Sequence, residues 1–340
     1  MEPVDDVLEL NGEAPDGESA HELQTVQVPI ASHGQRLDLT LTQLLGSFSR
    51  SYVQQRIEAG DVHLGDRVLT KASAKVTAGD CLQVALRETL QSQAFKPQDL
   101  PITVVHEDEH LLVVDKPSGL VVHPAPGNWQ GTLLNALLFR DPGAVNLPRA
   151  GIVHRLDKDT SGLMVVAKNR LTMDALVKMI AAREVHRQYL ALSARPWTGP
   201  MQRQINSPIG RDPYNRIRMA VVDMGRHAGK QARTDLECLA STESGCVVQC
   251  TLHTGRTHQI RVHLASLSHP LLGDTIYGGV PGYGMERQAL HAFRLAFVHP
   301  VTARSFVFES AIPADFALAS QKMGLRYNAK APRDGAMANE

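Results

Sequence analysis

The residues best suited to chemistry crowd into one short stretch. His154, Arg155, Asp157, Lys158 and Asp159 fall within six positions of "IVHRLDKDTSGLMVVAK", residues 152–168, between two apolar runs that read as strands. A carboxylate aimed from rigid walls can attack carbon as a nucleophile or remove a proton as a base. The ordinary alternative is a tight turn in which Asp satisfies loop amides, and Asp159 fits that role better than Asp157. A second cluster, "TGRTHQIRVHLASL", gathers Arg256, His258, Arg261 and His263 around the start of an apolar helix. A buried guanidinium needs a carboxylate partner, and Asp157 is a candidate. Tyr189, in "VHRQYLALS", is by itself a core tyrosine with a bonded hydroxyl.

Other chemistries are poorly served. GxGxxG and GxxxxGK[ST] are absent, so a nucleotide cofactor is not expected. The Ser nucleophile elbow is missing too. His258 and His263 stand five apart, not at the i, i+4 spacing of a zinc helix, and no metal site is expected. Cys238, Cys246 and Cys250 lack a CxxC pair and Cys81 is distant, which suits buried thiols in a reducing compartment. A single-carboxylate mechanism is what this inventory leaves.

The elements that must position these groups follow from periodicity. Leu37, Leu41, Leu44 and Leu45 share helical spacing, and a second helix starts at Ser49 or Ser51 and stops at Gly60. "DVHLGDRVL" and "VTAGDCLQVAL" read as turns and strands. Residues 24–85 therefore form a small binding-type unit, and 86–100 a linker. A second region, 101–325, opens with a hairpin over "ITVVHEDEHLLVVDKP". It continues with a helix over "GTLLNALLFR", a helix capped by Asn169 with Leu171, Leu176, Met179 and Ile180 on one face, and the strand of Tyr189. The helix of Arg261 is capped by Thr257 and turns Ile260, Leu264 and Leu267 to the core. Residues 203–233 carry seven Lys and Arg against two Asp, in a loop or extended hairpin.

Formal charge is zero over 340 residues, but residues 1–22 hold eight acids and no Lys or Arg. The remainder has 35 basic against 27 acidic residues, a cationic body that suits a polyanionic partner. Residues 1–22 and 326–340 read as loose tails. No apolar run is long enough to span a membrane, and the acidic start argues against a signal or transit peptide. A cytoplasmic protein is expected, with a monomer as the default.

These motifs resemble those of the RluA-type pseudouridine synthases. "GIVHRLDKDTSGLMVVAK" is similar to the family's catalytic motif, "REVHRQYLAL" to its Tyr-bearing strand and "TGRTHQIRVHLASLSHPLLGDTIYGG" to its Arg-bearing motif. "VVDKPSGLVVHP" and "QALHAFRLAFVHP" resemble its opening and closing segments, and residues 35–85 resemble the S4 RNA-binding module. The likeness runs in order from about residue 24 to 320. Within the family, "AGIVHRLDKDTSGLMVVAK" is most similar to bacterial members acting on 23S ribosomal RNA.

The resemblance implies an α+β fold: a mixed, largely antiparallel pseudouridine synthase sheet behind a small S4-like module. It implies Asp157 as catalytic aspartate, Tyr189 stacking on the target uracil and serving in loss of its C5 proton, and Arg261 holding Asp157. The implied reaction converts uridine to pseudouridine without a cofactor. Arg155 is expected to fill the gap left by a flipped base, or else to contact phosphate or form a surface salt bridge. Arg256, His258, Arg50, Arg56, Arg216 and Arg218 are expected at the RNA. The expected partner is 23S rRNA or a large-subunit precursor. A tRNA-acting or dual-specificity member stays open, as does a non-catalytic ribosome-assembly protein.

Overall fold

The computed structural model describes residues 22–46, 48–86, 92–125, 127–215 and 217–326. Apart from Glu22 and Arg326, the two expected tails lie outside the described residues, as does Arg216. The chain forms two units, Met1–Gln93 and Ala94–Glu340.

The first unit is an antiparallel sheet with two helices. Strands β1 (Glu22–Gln27), β2 (Val62–Leu64), β3 (Arg67–Val68) and β4 (Cys81–Leu86) pair in the order β1-β4-β2-β3. Helices α1 (Leu37–Leu45) and α2 (Arg50–Glu58) lie between β1 and β2. Leu37, Leu41 and Leu45 form one face of α1, as their spacing requires, and pack with Val53, Ile57, Leu82 and Val84. Ser49 caps α2 by accepting a bond from Tyr52 N at 3.3 Å.

The second unit is built on a nine-stranded sheet, in the order β5-β6-β7-β15-β8-β14-β13-β9 with β16 paired to β15. It opens with the hairpin β5 (Thr103–Glu107) and β6 (Leu111–Lys116), helix α3 (Leu133–Arg140), β7 (Ser161–Ala167), α4 (Arg170–Ala182) and β8 (His186–Ser193). Next come β9 (Gln202–Asn206), the short strands β10 (Ile209–Arg211), β11 (Met219–Val221) and β12 (Gly229–Lys230), then β13 (Arg233–Thr242) and β14 (Gly245–Leu252). The last described elements are α5 (Gln259–Ser266), β15 (Leu290–Val298), β16 (Ser305–Glu309) and α6 (Ala314–Lys322). Only the β7–β15 contact is parallel among the described pairs of this sheet, so it is mixed and largely antiparallel.

The central strands are buried on both faces, which explains their nearly unbroken apolar runs. Along β7, Met164 and Val166 join one core while Leu163, Val165 and Ala167 join another. Along β8, Tyr189 and Ala191 share the first core, and Leu190 and Leu192 point to a third with α6. Ile260 and Leu264 of α5 pack into the first core. This alternation puts Tyr189 and α5 on the same face of the sheet.

Several expectations are corrected. The run before the charged stretch is not a strand: residues 148–151 form a short 3₁₀ segment, and Ile152 makes a lone bridge to Val166. Arg149, Ala150 and Gly151 are consecutively left-handed, at φ 54°, 53° and 79°, which ends any extended run there. Leu171 is 83% exposed, because it sits at the first turn of α4, away from the sheet. The N-cap of α5 is His258 in left-handed conformation rather than Thr257, and Gln259 Oε1 accepts from Arg256 N at 3.0 Å. Residues 203–233 contain β9 and a separate three-stranded sheet, β11-β10-β12. The expected linker also tightens at its end: Asn135 Nδ2 of α3 donates to Ala94 O and Lys96 O, at 3.1 and 2.8 Å.

Candidate active site

Asp157 lies in the loop between the 3₁₀ segment and β7, and Arg261 lies on the first turn of α5. The two meet across 104 positions of sequence: Arg261 Nη1 donates to Asp157 Oδ2 at 3.1 Å. The other side of the same guanidinium forks onto Asp274, with Nε to Oδ2 at 2.7 Å and Nη2 to Oδ1 at 2.9 Å. The Arg261 and Asp274 side chains are 4% and 1% exposed, whereas Asp157 keeps 15%. A planar guanidinium with two donor edges suits this bridge, and an ammonium does not. Burial opposes the Arg261 charge, but the Asp274 and Asp157 carboxylates outweigh it and hold the guanidinium protonated above its ordinary range.

Asp274 reaches this position through a compact turn. Gly279 N donates to Asp274 O at 2.8 Å, and a Cβ at Gly279 would fall 1.8 Å from Leu271 O. Tyr277 of the same turn lies under the guanidinium at 5.0 Å and bonds His258 Nδ1 through its hydroxyl at 2.8 Å. Burial lowers the His258 pKa from its ordinary value.

The loop of Asp157 is held from below. Lys116, at the end of β6, is buried and donates through Nζ to Pro117 O, Leu120 O and Lys158 O at 2.8, 2.9 and 3.0 Å. Burial pushes its pKa down to about 8, against the pull of Asp159 and Asp157. On the β7 side, His154 Nε2 accepts from Val165 N at 3.1 Å, which leaves Nδ1 as the protonated nitrogen of the neutral ring. Burial pushes His154 down to about 3.

His154 has a consequence for acid stability. Its folded pKa lies below the ordinary 6.5, so the unfolded chain binds more protons as pH falls from 6.5. Stability from the neutral ring is therefore complete above that value and lost as pH drops toward 3, by at most about 1.4 kcal/mol per pH unit. His154→Asn is expected to flatten the fall in Tm between pH 6.5 and 4.5, measured by thermal melts. It leaves a residual slope from His123, which burial and then Arg149 and Arg155 lower to about 4. Parallel Tm curves for variant and wild type would contradict this origin of the slope.

Asp157 opens onto a cavity of about 370 Å³. His123, Arg155, His258 and Arg261 also line it. Asp159, the carboxylate better suited to a turn, lines it too. Tyr189 does not line the cavity. It lies in the apolar layer behind, clustered with Leu156 and Ile260. Burial pushes its phenol up to about 12, with Asp157 adding to the shift.

The residues expected at RNA divide by environment. Arg155 is exposed at the cavity rim. Arg256 donates to Gln231 O at 3.0 Å, and Arg218 pairs with Asp212 at 2.6 Å. In the first unit Arg50 and Arg36 both bond the buried Asp38, whose carboxyl is held far below its usual range, chiefly by the Arg36 bond. Arg50 keeps half its side chain exposed. Arg56 instead pairs with buried Asp61 at 3.1 Å and covers the Tyr52 ring, a packing environment.

Sequence reasoning missed Asp274, Tyr277 and Lys116. Asp274 and Tyr277 stood in the Arg-bearing motif as turn residues, and Lys116 in a strand-end "DKP", where a charge ordinarily faces solvent.

Comparison with known proteins identifies the family. Residues 110–266 match the RNA pseudouridylate synthase family and residues 35–81 the S4 domain. "Ribosomal large subunit pseudouridine synthase D" of Xanthomonas campestris pv. campestris is 44% identical over 306 residues, 86% of this chain and 90% of that protein. The protein of the same name from Vibrio cholerae serotype O1 is 41% identical over 329 residues, 92% of this chain and 98% of its own. The chain belongs to the RNA pseudouridylate synthase family. It is therefore an RNA pseudouridine synthase, an isomerase of uridines in RNA. The synthase fold is shared with human RNA Pseudouridylate Synthase Domain Containing 4, at TM-score 0.51 and 23% identity over 66% of this chain and 94% of that one. Among the described residues of this synthase no cluster of His, Cys, Asp and Glu is arranged to hold a metal ion, and no helix is long and apolar enough to cross a membrane.

Proposed function

We propose that this synthase isomerises uridines in 23S rRNA of the large ribosomal subunit, with Asp157 as its catalytic carboxylate. The observation that carries the proposal is the Asp157–Arg261–Asp274 bridge beside an open cavity. The names and near full-length match of the relatives support large-subunit RNA over tRNA.

The chemistry fits one fixed carboxylate. The N1–C1′ bond of uridine breaks, the uracil turns, C5 bonds to C1′, the C5 proton leaves and N1 takes one up. Nothing is oxidised and no group is donated, so no cofactor is required. Arg261 bonds Oδ2 of Asp157, and the carboxylate lines the cavity, where it attacks C1′ and is displaced when C5 bonds there, or removes the C2′ proton and returns it. The base must first leave its stack. Tyr189, in the layer directly behind the cavity, is the aromatic residue assigned to stack on that base, a contact worth about 1–3 kcal/mol. Arg155, at the rim, takes the place of the flipped base. Residues 24–85, with Arg50 exposed on Asp38, and residues 203–233, with Arg218, supply phosphate contacts, as does Arg256; His258 borders the catalytic cleft. Residues 101–325 form the catalytic domain. The enzyme acts as a monomer in the cytoplasm.

The test uses full-length protein and [5-³H]uridine transcripts of 23S rRNA, small-subunit rRNA and tRNA. Tritium release is expected from 23S rRNA at least about tenfold above the others, a margin of roughly 1.4 kcal/mol. Equal or greater release from tRNA sinks the rRNA assignment.

A further inference from the structure

We infer that Arg287, supported by Asp315, is a positioning residue that sets the catalytic loop against the Arg261 bridge; the inference rests on the reading of Asp157 given above. Arg287 precedes β15 and lies beyond the span matched to the family, 110–266. Its guanidinium forks onto Asp315, Nε to Oδ2 at 2.7 Å and Nη2 to Oδ1 at 2.9 Å. The remaining nitrogen, Nη1, donates to Asp159 O at 2.9 Å, two residues after Asp157. Longer bonds from Nη1 to Gln288 O and Leu290 O, at 3.3 and 3.5 Å, tie it to the start of β15.

Asp315 is a firm anchor. It sits in the first turn of α6 and accepts from Phe316 N at 2.8 Å. Phe316, Ala319 and Met323 bury that helix in the core shared with Leu190 and Leu192 of β8. The Arg287 backbone meets the other half of the bridge. A Cβ at Gly273 would fall 2.1 Å from Arg287 O, so the main chain beside Asp274 lies directly on Arg287. One residue thus touches the loop of Asp157 with its side chain and the turn of Asp274 with its main chain.

The surroundings make this a matter of position more than of stability. Arg287, Asp315, Asp159, Arg261 and Asp274 border a second cavity of about 510 Å³. On loss of the guanidinium, water can enter there and satisfy Asp159 O, but it cannot hold the loop in place. A residue that only fastened α6 would affect melting and leave turnover per folded molecule alone.

The experiment measures kcat and KM for tritium release from [5-³H]uridine 23S transcript, with Tm and folded fraction, for R287A, R287K, D315N and D157N. R287A is expected to lower kcat per folded molecule by about 10–100-fold, the scale of an ångström's misplacement, with KM within about twofold. R287K should recover part of kcat by bonding Asp159 O, and D315N should lose less than R287A because Arg287 can still reach that carbonyl. Wild-type kcat in folded R287A, or a loss that follows folded fraction alone, overturns the inference. If R287A does not fold, wild-type kcat in both R287K and D315N overturns it, and a selective kcat loss in either supports it. An active D157N instead removes the reading of Asp157 on which the inference rests; inactive D157N beside fully active R287A removes the positioning role alone.

Discussion

Asp157→Asn is expected to abolish isomerisation while RNA still binds. The amide keeps the size of the side chain and can accept from Arg261 Nη1, so the loop held by Lys116 at Lys158 O should keep its place. On the role proposed for Asp157, what is lost is the negative charge that attacks C1′ or takes the C2′ proton. Removing such a group costs at least about 10⁴-fold in turnover. Affinity should stay within about threefold, since it comes mainly from Lys and Arg contacts to phosphates and one carboxylate fewer lowers repulsion. Single-turnover tritium release and filter binding on the same transcript separate the two quantities. Weakened binding in step with lost turnover would place Asp157 in RNA recognition instead.

Arg261→Met should injure both folding and catalysis. It leaves Asp274, 1% exposed, without the cation that neutralises it. Breaking a buried pair from one side costs about 3–5 kcal/mol, which in a domain of this size lowers Tm by roughly 10 °C. Arg261→Lys should keep more stability but still lose at least about 100-fold in kcat. One ammonium cannot fork onto Asp274 and reach Asp157 Oδ2 together, and small misplacements of a reacting group carry that penalty. Thermal melts and kcat at a temperature below both transitions check the two parts. A lysine variant with wild-type kcat would mean that Arg261 matters only to the fold.

The order of elements was largely legible. Strand alternation, the Ser49 and Asn169 caps and the spacing of Ile260 with Leu264 are local patterns, and each corresponds to an element or a core contact. The meeting of Asp157 with Arg261 was legible through chemistry and family resemblance, because a buried arginine demands a carboxylate. The third member, Asp274, was not. A lone Asp after Gly273 reads as a turn residue, and its burial depends on the close approach at Gly279. Lys116 and Arg287 escaped for another reason: each reaches the catalytic loop through a backbone carbonyl, which leaves no trace in side-chain pattern. The left-handed run at Arg149 and Ala150 is hidden because neither residue type favours that conformation. Tyr189 was identified by its motif, yet its depth behind the cavity lining follows from strand register, which no single stretch reveals.

The most direct test of the account maps pseudouridines across rRNA and tRNA from cells whose own copy of this protein is wild type or carries D157N. The account predicts that D157N erases a defined set of pseudouridines in 23S rRNA and leaves those of tRNA in place. An unchanged 23S map in cells that carry only D157N would contradict it.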